Sequence, residues 1–142
     1  MILIHIHNNF DLSIDYQSAQ NLINIIFKDY EIIHGEINLI ITDDESLRKM
    51  KKEYFKQDYY TDVIAFNIQS NPFEGEIYVS YDRIKDNAIK YNQTFEKEMK
   101  RVVIHGALHL CGEKDETDNQ KLKMKSLEDF YLKNNNMDLI NS

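Results

Sequence analysis

His105-Gly-Ala-Leu-His109-Leu-Cys-Gly-Glu-Lys-Asp115 is the stretch from which the rest of the chain can be read. Residues four apart on a helix share one face, about 6 Å apart along the axis, so two imidazoles at this spacing can point at one ion. Gly112 is the residue type that most readily takes a left-handed conformation at a helix end, and a reversal there swings Asp115 back toward the histidines. His105, His109 and Asp115 then form a set of three ligands. Three protein ligands leave a tetrahedral ion such as zinc one open position, the mark of a catalytic rather than a closed structural site.

A bare pair of histidines at this spacing is more often two structural imidazoles than a metal site. The setting shifts the balance. Val102, Val103, Ile104, Ala107, Leu108, Leu110 and Cys111 surround the pair, which predicts a central, buried helix. Buried imidazoles need partners, and two on a face that also carries Glu98 and Arg101 are hard to satisfy unless something binds between them.

His105-Gly-x-Leu-His109-Leu-x-Gly112, followed three residues later by a ligand, resembles the signature of the YbeY family. Upstream, Thr61-Asp-Val-Ile-Ala-Phe66 resembles that family's Thr-Asp-Val-Leu-Ser-Phe strand, and Gly75-Glu-Ile77 its Gly-Asp-Ile strand. Ile41-Thr-Asp-Asp44 is similar to the end of an earlier strand. The resemblance covers essentially the whole chain. It implies a metal-dependent, single-strand-specific endoribonuclease that acts in ribosomal RNA maturation and ribosome quality control. Expected partners are single-stranded ribosomal RNA and the small ribosomal subunit or its proteins, with no DNA substrate.

Two departures stand out. Asp115 occupies the place of the family's usual third histidine; carboxylate oxygen is an acceptable zinc ligand, although the change alters site charge and metal preference. Phe55 occupies the place of an arginine thought to act in catalysis. A phenylalanine stacks on a base but cannot stabilise phosphate charge. Arg101, one turn before His105, is the candidate substitute, and Asp62 is a candidate for orienting a ligand or water. Phe55, Tyr59 and Tyr60 lie close in sequence to Lys51 and Lys52, a pattern suited to stacking unpaired bases beside phosphate-binding lysines. An aromatic-rich chain also produces such clusters by chance.

A length of 142 residues suits one domain, spanning 1–142, with a real core. No stretch approaches membrane-spanning length, and Met1-Ile-Leu-Ile-His5-Ile-His7 lacks the features of a secretory signal. With one cysteine and therefore no internal disulfide, these features point to a cytoplasmic protein. The net charge of −7 argues against gripping nucleic acid with the whole surface. Basic residues gather locally, at Arg48, Lys49, Lys51 and Lys52 and again at Lys121, Lys123 and Lys125; such runs are as readily solvated helix faces.

Apolar spacing predicts a strand over residues 2 to 7, a helix through Ala19 to Tyr30, and a strand ending at Thr42. Thr42-x-x-Glu45 reads as a capping box for the next helix. Strands over 61 to 68 and 76 to 80 flank a turn at Asn71-Pro72 and are expected to pair antiparallel. Ile84, Ala88 and Tyr91 suggest a further helix, and the histidine helix begins near Phe95. Thr117-x-x-Gln120 starts a last helix with Leu122, Leu127, Phe130 and Tyr131 as its apolar stripe, and the tail from Asn134 is expected to fray. The fold expected is α+β: a mixed sheet of about four strands covered by about five helices, with a zincin-like metal site on a central helix.

Two rivals remain. A zinc peptidase with histidines at this spacing places a glutamate after the first as general base, and here that residue is Gly106. A non-catalytic, metal-containing ribosome assembly factor is the other; Phe55 and the acidic surface favour it, and the open ligand position speaks against it.

Overall fold

The computed structural model describes residues 1–141. In chain order the elements are β1 (Ile2–Asn8), α1 (Tyr16–Asp29), β2 (Gly35–Thr42), α2 (Asp44–Phe55), β3 (Val63–Ser70), β4 (Phe73–Ser80), α3 (Tyr81–Lys90), α4 (Phe95–Leu110) and α5 (Asp118–Lys133). The four strands form one mixed sheet in the order β1-β2-β4-β3. β1, β2 and β4 run parallel, and β3 pairs antiparallel with β4 as an edge strand.

Alternation along the strands gives the sheet a thoroughly apolar face. Ile2 and Ile4 of β1, Ile37, Leu39 and Ile41 of β2, and Ile77 and Val79 of β4 are all buried. α1 covers this face with Ala19, Leu22, Ile23, Ile26 and Phe27, and α4 lies beside it on β3 and β4. α4 is buried on most sides, as its sequence predicts. At Gly106 it packs directly on the sheet: a Cβ there would lie 2.7 Å from Ile77 Cγ2 and 3.1 Å from Val63 Cγ2. The opposite face takes α2, whose Tyr54 and Phe55 pack against Phe66 with ring centroids 5.4 and 5.8 Å apart.

Several local expectations shift. The cap of α2 is Asp43, whose carboxylate accepts from Ser46 N at 2.7 Å, not Thr42. Thr42 is still the last residue of β2, paired with Ser80, so its backbone belongs to the sheet. β3 starts at Val63 rather than Thr61, and β4 starts three residues before Glu76, because the ladder runs as far as Ser70 opposite Phe73. Thr117 and Gln120 do form the expected capping box. The buried positions of α5, however, are Met124, Glu128 and Tyr131 with Leu127 partly buried, while Leu122 and Phe130 face outward. The tail is also held rather than frayed. Lys100 Nζ donates to the carbonyls of Asn135 and Met137, Glu96 accepts from the backbone N–H groups of Leu139 and Ile140, and Ile140 bridges Ile14. These carbonyls and N–H groups have no other secondary structure to join, so buried Lys100 and half-buried Glu96 of α4 supply their partners.

Candidate metal centre

α4 begins at Thr94, whose hydroxyl accepts from Lys97 N, and ends in a Schellman motif. There Gly112 N donates to the His109 carbonyl and Glu113 N to the Leu108 carbonyl, both at 3.0 Å, with Gly112 at φ +101°. This reversal turns the chain back over the last helical turn, where the two histidines sit.

The three predicted ligands meet. His105 Nε2 and His109 Nε2 lie 2.9 Å apart, and Asp115 Oδ2 is 3.1 Å from the first and 3.5 Å from the second. An ion with tetrahedral bonds of about 2.0–2.1 Å spaces its ligands about 3.3 Å apart, so the triangle has the right size. Its electronic state fits as well. His105 Nδ1 faces Glu128 Oε2 at 2.6 Å and His109 Nδ1 faces the Glu113 carbonyl at 2.9 Å. Both partners are acceptors, so in the neutral rings each Nδ1 carries the hydrogen and each Nε2 presents a lone pair. Two lone pairs and a carboxylate oxygen converging on one point repel each other unless a cation lies between them. The donor set therefore suits a divalent metal, held by His105, His109 and Asp115.

A second layer fixes these groups. Arg101 binds Glu128 at 3.0 Å and clasps buried Glu98 through Nε and Nη2, with Asp62 3.7 Å away. Its guanidinium is held charged, first by the Glu98 hydrogen bond. Burial pulls His105 toward the neutral form, but the Glu128 bond and the nearby charges of Glu128, Asp115 and Asp62 outweigh it and raise its pKa. Glu113, whose carbonyl orients His109, is itself anchored: Tyr30 donates to its carboxylate at 2.6 Å and Lys123 pairs with it at 3.1 Å. The Tyr30 bond leads in holding its pKa below the ordinary value. Burial raises the pKa of Asp62 against the pull of His105 and Arg101. Cys111 faces no ligand role; burial pushes its thiol up to about 12.

The triad opens on a cleft of about 940 Å³ along the outer side of β3. Lys51, Phe55, Tyr59 and Asp62 line it together with both histidines and Asp115. Lys51 Nζ sits 4.8 Å from the centroid of the Phe55 ring and 5.5 Å from that of Tyr59, residues that are 42% and 50% exposed. Lys52 and Tyr60 do not line this cleft. Tyr60 instead donates to Glu45 and lies between the guanidinium groups of Arg48 and Arg83. Arg101 reaches the site from behind His105, through Glu128, rather than from the cleft. Sequence reasoning missed Glu128 because nothing short of the docking of α5 brings it to His105; its one sequence signal is its place at i, i+3, i+4, i+7 with Met124, Leu127 and Tyr131.

The fold and site define an α+β domain that carries a three-donor metal centre on a buried helix beside an open cleft. The chain belongs to the YbeY family: the family profile for endoribonuclease YbeY matches residues 5–136. Among curated relatives, endoribonuclease YbeY of Flavobacterium johnsoniae is 40% identical over 129 residues, covering 89% of this chain and 93% of its own length. That of Karelsulcia muelleri is 36% identical over 133 residues, covering 93% and 94%. A solution structure from Thermotoga maritima superposes with a TM-score of 0.61 at 30% identity, over 94% of this chain and 87% of that one.

Proposed function

We propose that this chain is a zinc-dependent endoribonuclease that cuts single-stranded RNA, acting in the cytoplasm on ribosomal RNA in association with the small ribosomal subunit. The curated relatives are named endoribonucleases, and the observation that carries the reading is the convergence of His105, His109 and Asp115 at the head of the β3 cleft. Zinc suits the two imidazoles and one carboxylate. No described helix is long and apolar enough to cross a membrane.

A divalent ion in this site supplies Lewis acidity, drawing charge from a phosphoryl oxygen and lowering the pKa of a coordinated water toward about 7. The chain's own groups do the rest. Phe55 and Tyr59 stack unpaired bases, which selects single strands because paired bases hide their faces. Lys51, held over both rings, meets a phosphate where the family's arginine is replaced by Phe55. Asp62, which lines the cleft with both histidines, takes the role of orienting a metal ligand or water. Arg101 binds Glu128, and Glu128 keeps His105 in the ligating tautomer. Gly106 leaves no room for the glutamate that a zinc peptidase would need there, because any Cβ meets Ile77.

The test is chelation and return. Cleavage of a labelled unstructured RNA should vanish when metal is stripped and return with zinc, while the same sequence in a duplex stays intact. Equal cleavage of duplex and single strand, or activity that survives complete metal removal, would contradict the reading.

A further inference from the structure

The space around the triad does not end at the β3 cleft. A second cavity of about 540 Å³ opens between the first half of α4 and α5 and shares His105, Asp115 and Lys121 with the first. Its walls carry Lys97, Lys121 and Lys125, all exposed and, among the described residues, in no ion pair. Of the four acids in its lining, Glu98 and Glu128 are buried and already bound to Arg101 and His105, Asp115 belongs to the triad, and Asp129 is exposed. Tyr91, 54% exposed, also lines it, with Lys90 Nζ 5.4 Å from the ring centroid. The two cavities therefore repeat one chemistry on either side of the triad: exposed aromatic faces, each with an ammonium over it, beside unpaired lysines.

We propose that the two cavities form one track for a single RNA strand, with the scissile phosphate at the triad and the α4–α5 groove holding the strand beyond it. Lys97, Lys121 and Lys125 contact phosphates there, and Tyr91 stacks a base. The inference rests on the single-stranded RNA reading above. It also answers the difficulty posed by a net charge of −7. At physiological salt, fields fade over about 8 Å, so a phosphate inside the groove meets its lysines while the distant acidic surface is screened. A strand engaged on both sides of the triad is cut internally, as an endonuclease requires.

The test uses the zinc-loaded full chain and an end-labelled RNA of about 12 unstructured nucleotides, with kcat and KM measured across a salt series. Each phosphate contact on a single strand contributes a slope of about 0.7 in log affinity against log salt. The pair Lys97→Gln with Lys125→Gln should raise KM at least about tenfold and flatten the salt slope of kcat/KM by about 1.4, leaving kcat within about twofold. Lys97→Arg with Lys125→Arg should restore both. Lys133→Gln, which lies on α5 but outside the groove, should change neither. A Gln pair that keeps the wild-type KM and slope, or a Lys133→Gln that shifts them as much, overturns the second arm and leaves the RNA reading standing. A folded, zinc-loaded wild type that cuts no single strand overturns both.

Discussion

His105 Nδ1 and Glu128 Oε2 lie 2.6 Å apart, joining the metal helix α4 to the last helix α5 through a buried carboxylate. The bond sets which imidazole nitrogen bears the hydrogen and so which one faces Asp115. Outer partners of metal-bound histidines are typically worth about 10–100-fold in metal affinity. Glu128→Gln should weaken zinc binding by about that factor with the fold kept, read by competition with a chromophoric chelator. Histidine nitrogen spectra should show His105 losing its preference for the Nδ1–H tautomer. Unchanged affinity and an unchanged tautomer would reduce the contact to packing.

Gly106 lets α4 lie directly on the sheet. Gly106→Ala places a methyl 2.7 Å from Ile77 Cγ2 in a fully packed core. Overpacking of this kind costs about 1–3 kcal/mol. Denaturant unfolding should show that loss, and the same change made on an Ile77→Ala background, which removes Cγ2, should cost less than it does in the wild type. No loss in the single variant would mean that α4 moves freely away from β4.

Asp43 caps α2, and loss of such a cap costs about 1 kcal/mol, the drop expected for Asp43→Ala. Bonds from Ser46, led by its backbone N–H, hold the Asp43 pKa below its ordinary 3.8. The folded state thus binds this proton less readily than the unfolded chain. The stabilisation is fully present above about pH 3.8 and is lost as pH falls through the lowered folded value. Stability of wild type and Asp43→Asn, compared from pH 7 down to pH 2, should differ by less at the acid end. A gap that widens on acidification would contradict the assignment.

Glu96 receives the backbone N–H groups of Leu139 and Ile140, and Leu139 is buried. Glu96→Ala removes both acceptor oxygens and should free the C-terminal segment. Amide exchange at Leu139 and Ile140 should speed up by at least about tenfold, as expected when roughly 1.4 kcal/mol of protection is lost, while the sheet amides stay protected. Uniform acceleration across the molecule would instead mean that the tail is part of the global core.

The triad was legible because it is local: a four-residue spacing on one helix and a glycine reversal bring its three members together within eleven residues. The strand order was less so, since β4 inserts between β2 and β3 and only tertiary packing fixes that. The phase of α5 was misread for a physical reason. Its buried stripe runs through Glu128, and a stripe judged by hydrophobicity passes over a carboxylate whose partners, His105 and Arg101, sit 23 and 27 residues away. The tail was misread likewise, because its polar sequence gave no sign that Lys100 and Glu96 would satisfy its backbone. Lys51 and Phe55, grouped by their closeness in sequence, do stand beside the site, four residues apart on α2, whereas Tyr60 was drawn away by Glu45, Arg48 and Arg83.

One paired measurement decides whether a single metal held by His105, His109 and Asp115 is what RNA cleavage depends on. Elemental analysis and cleavage of a labelled single-stranded RNA should be run together on wild type and His109→Ala. Wild type should carry about one equivalent of metal and cleave, and the variant should lose both while still folding. Metal bound without cleavage would favour a non-catalytic assembly factor. Equal cleavage by both proteins would mean that the His105, His109 and Asp115 centre does not cut RNA.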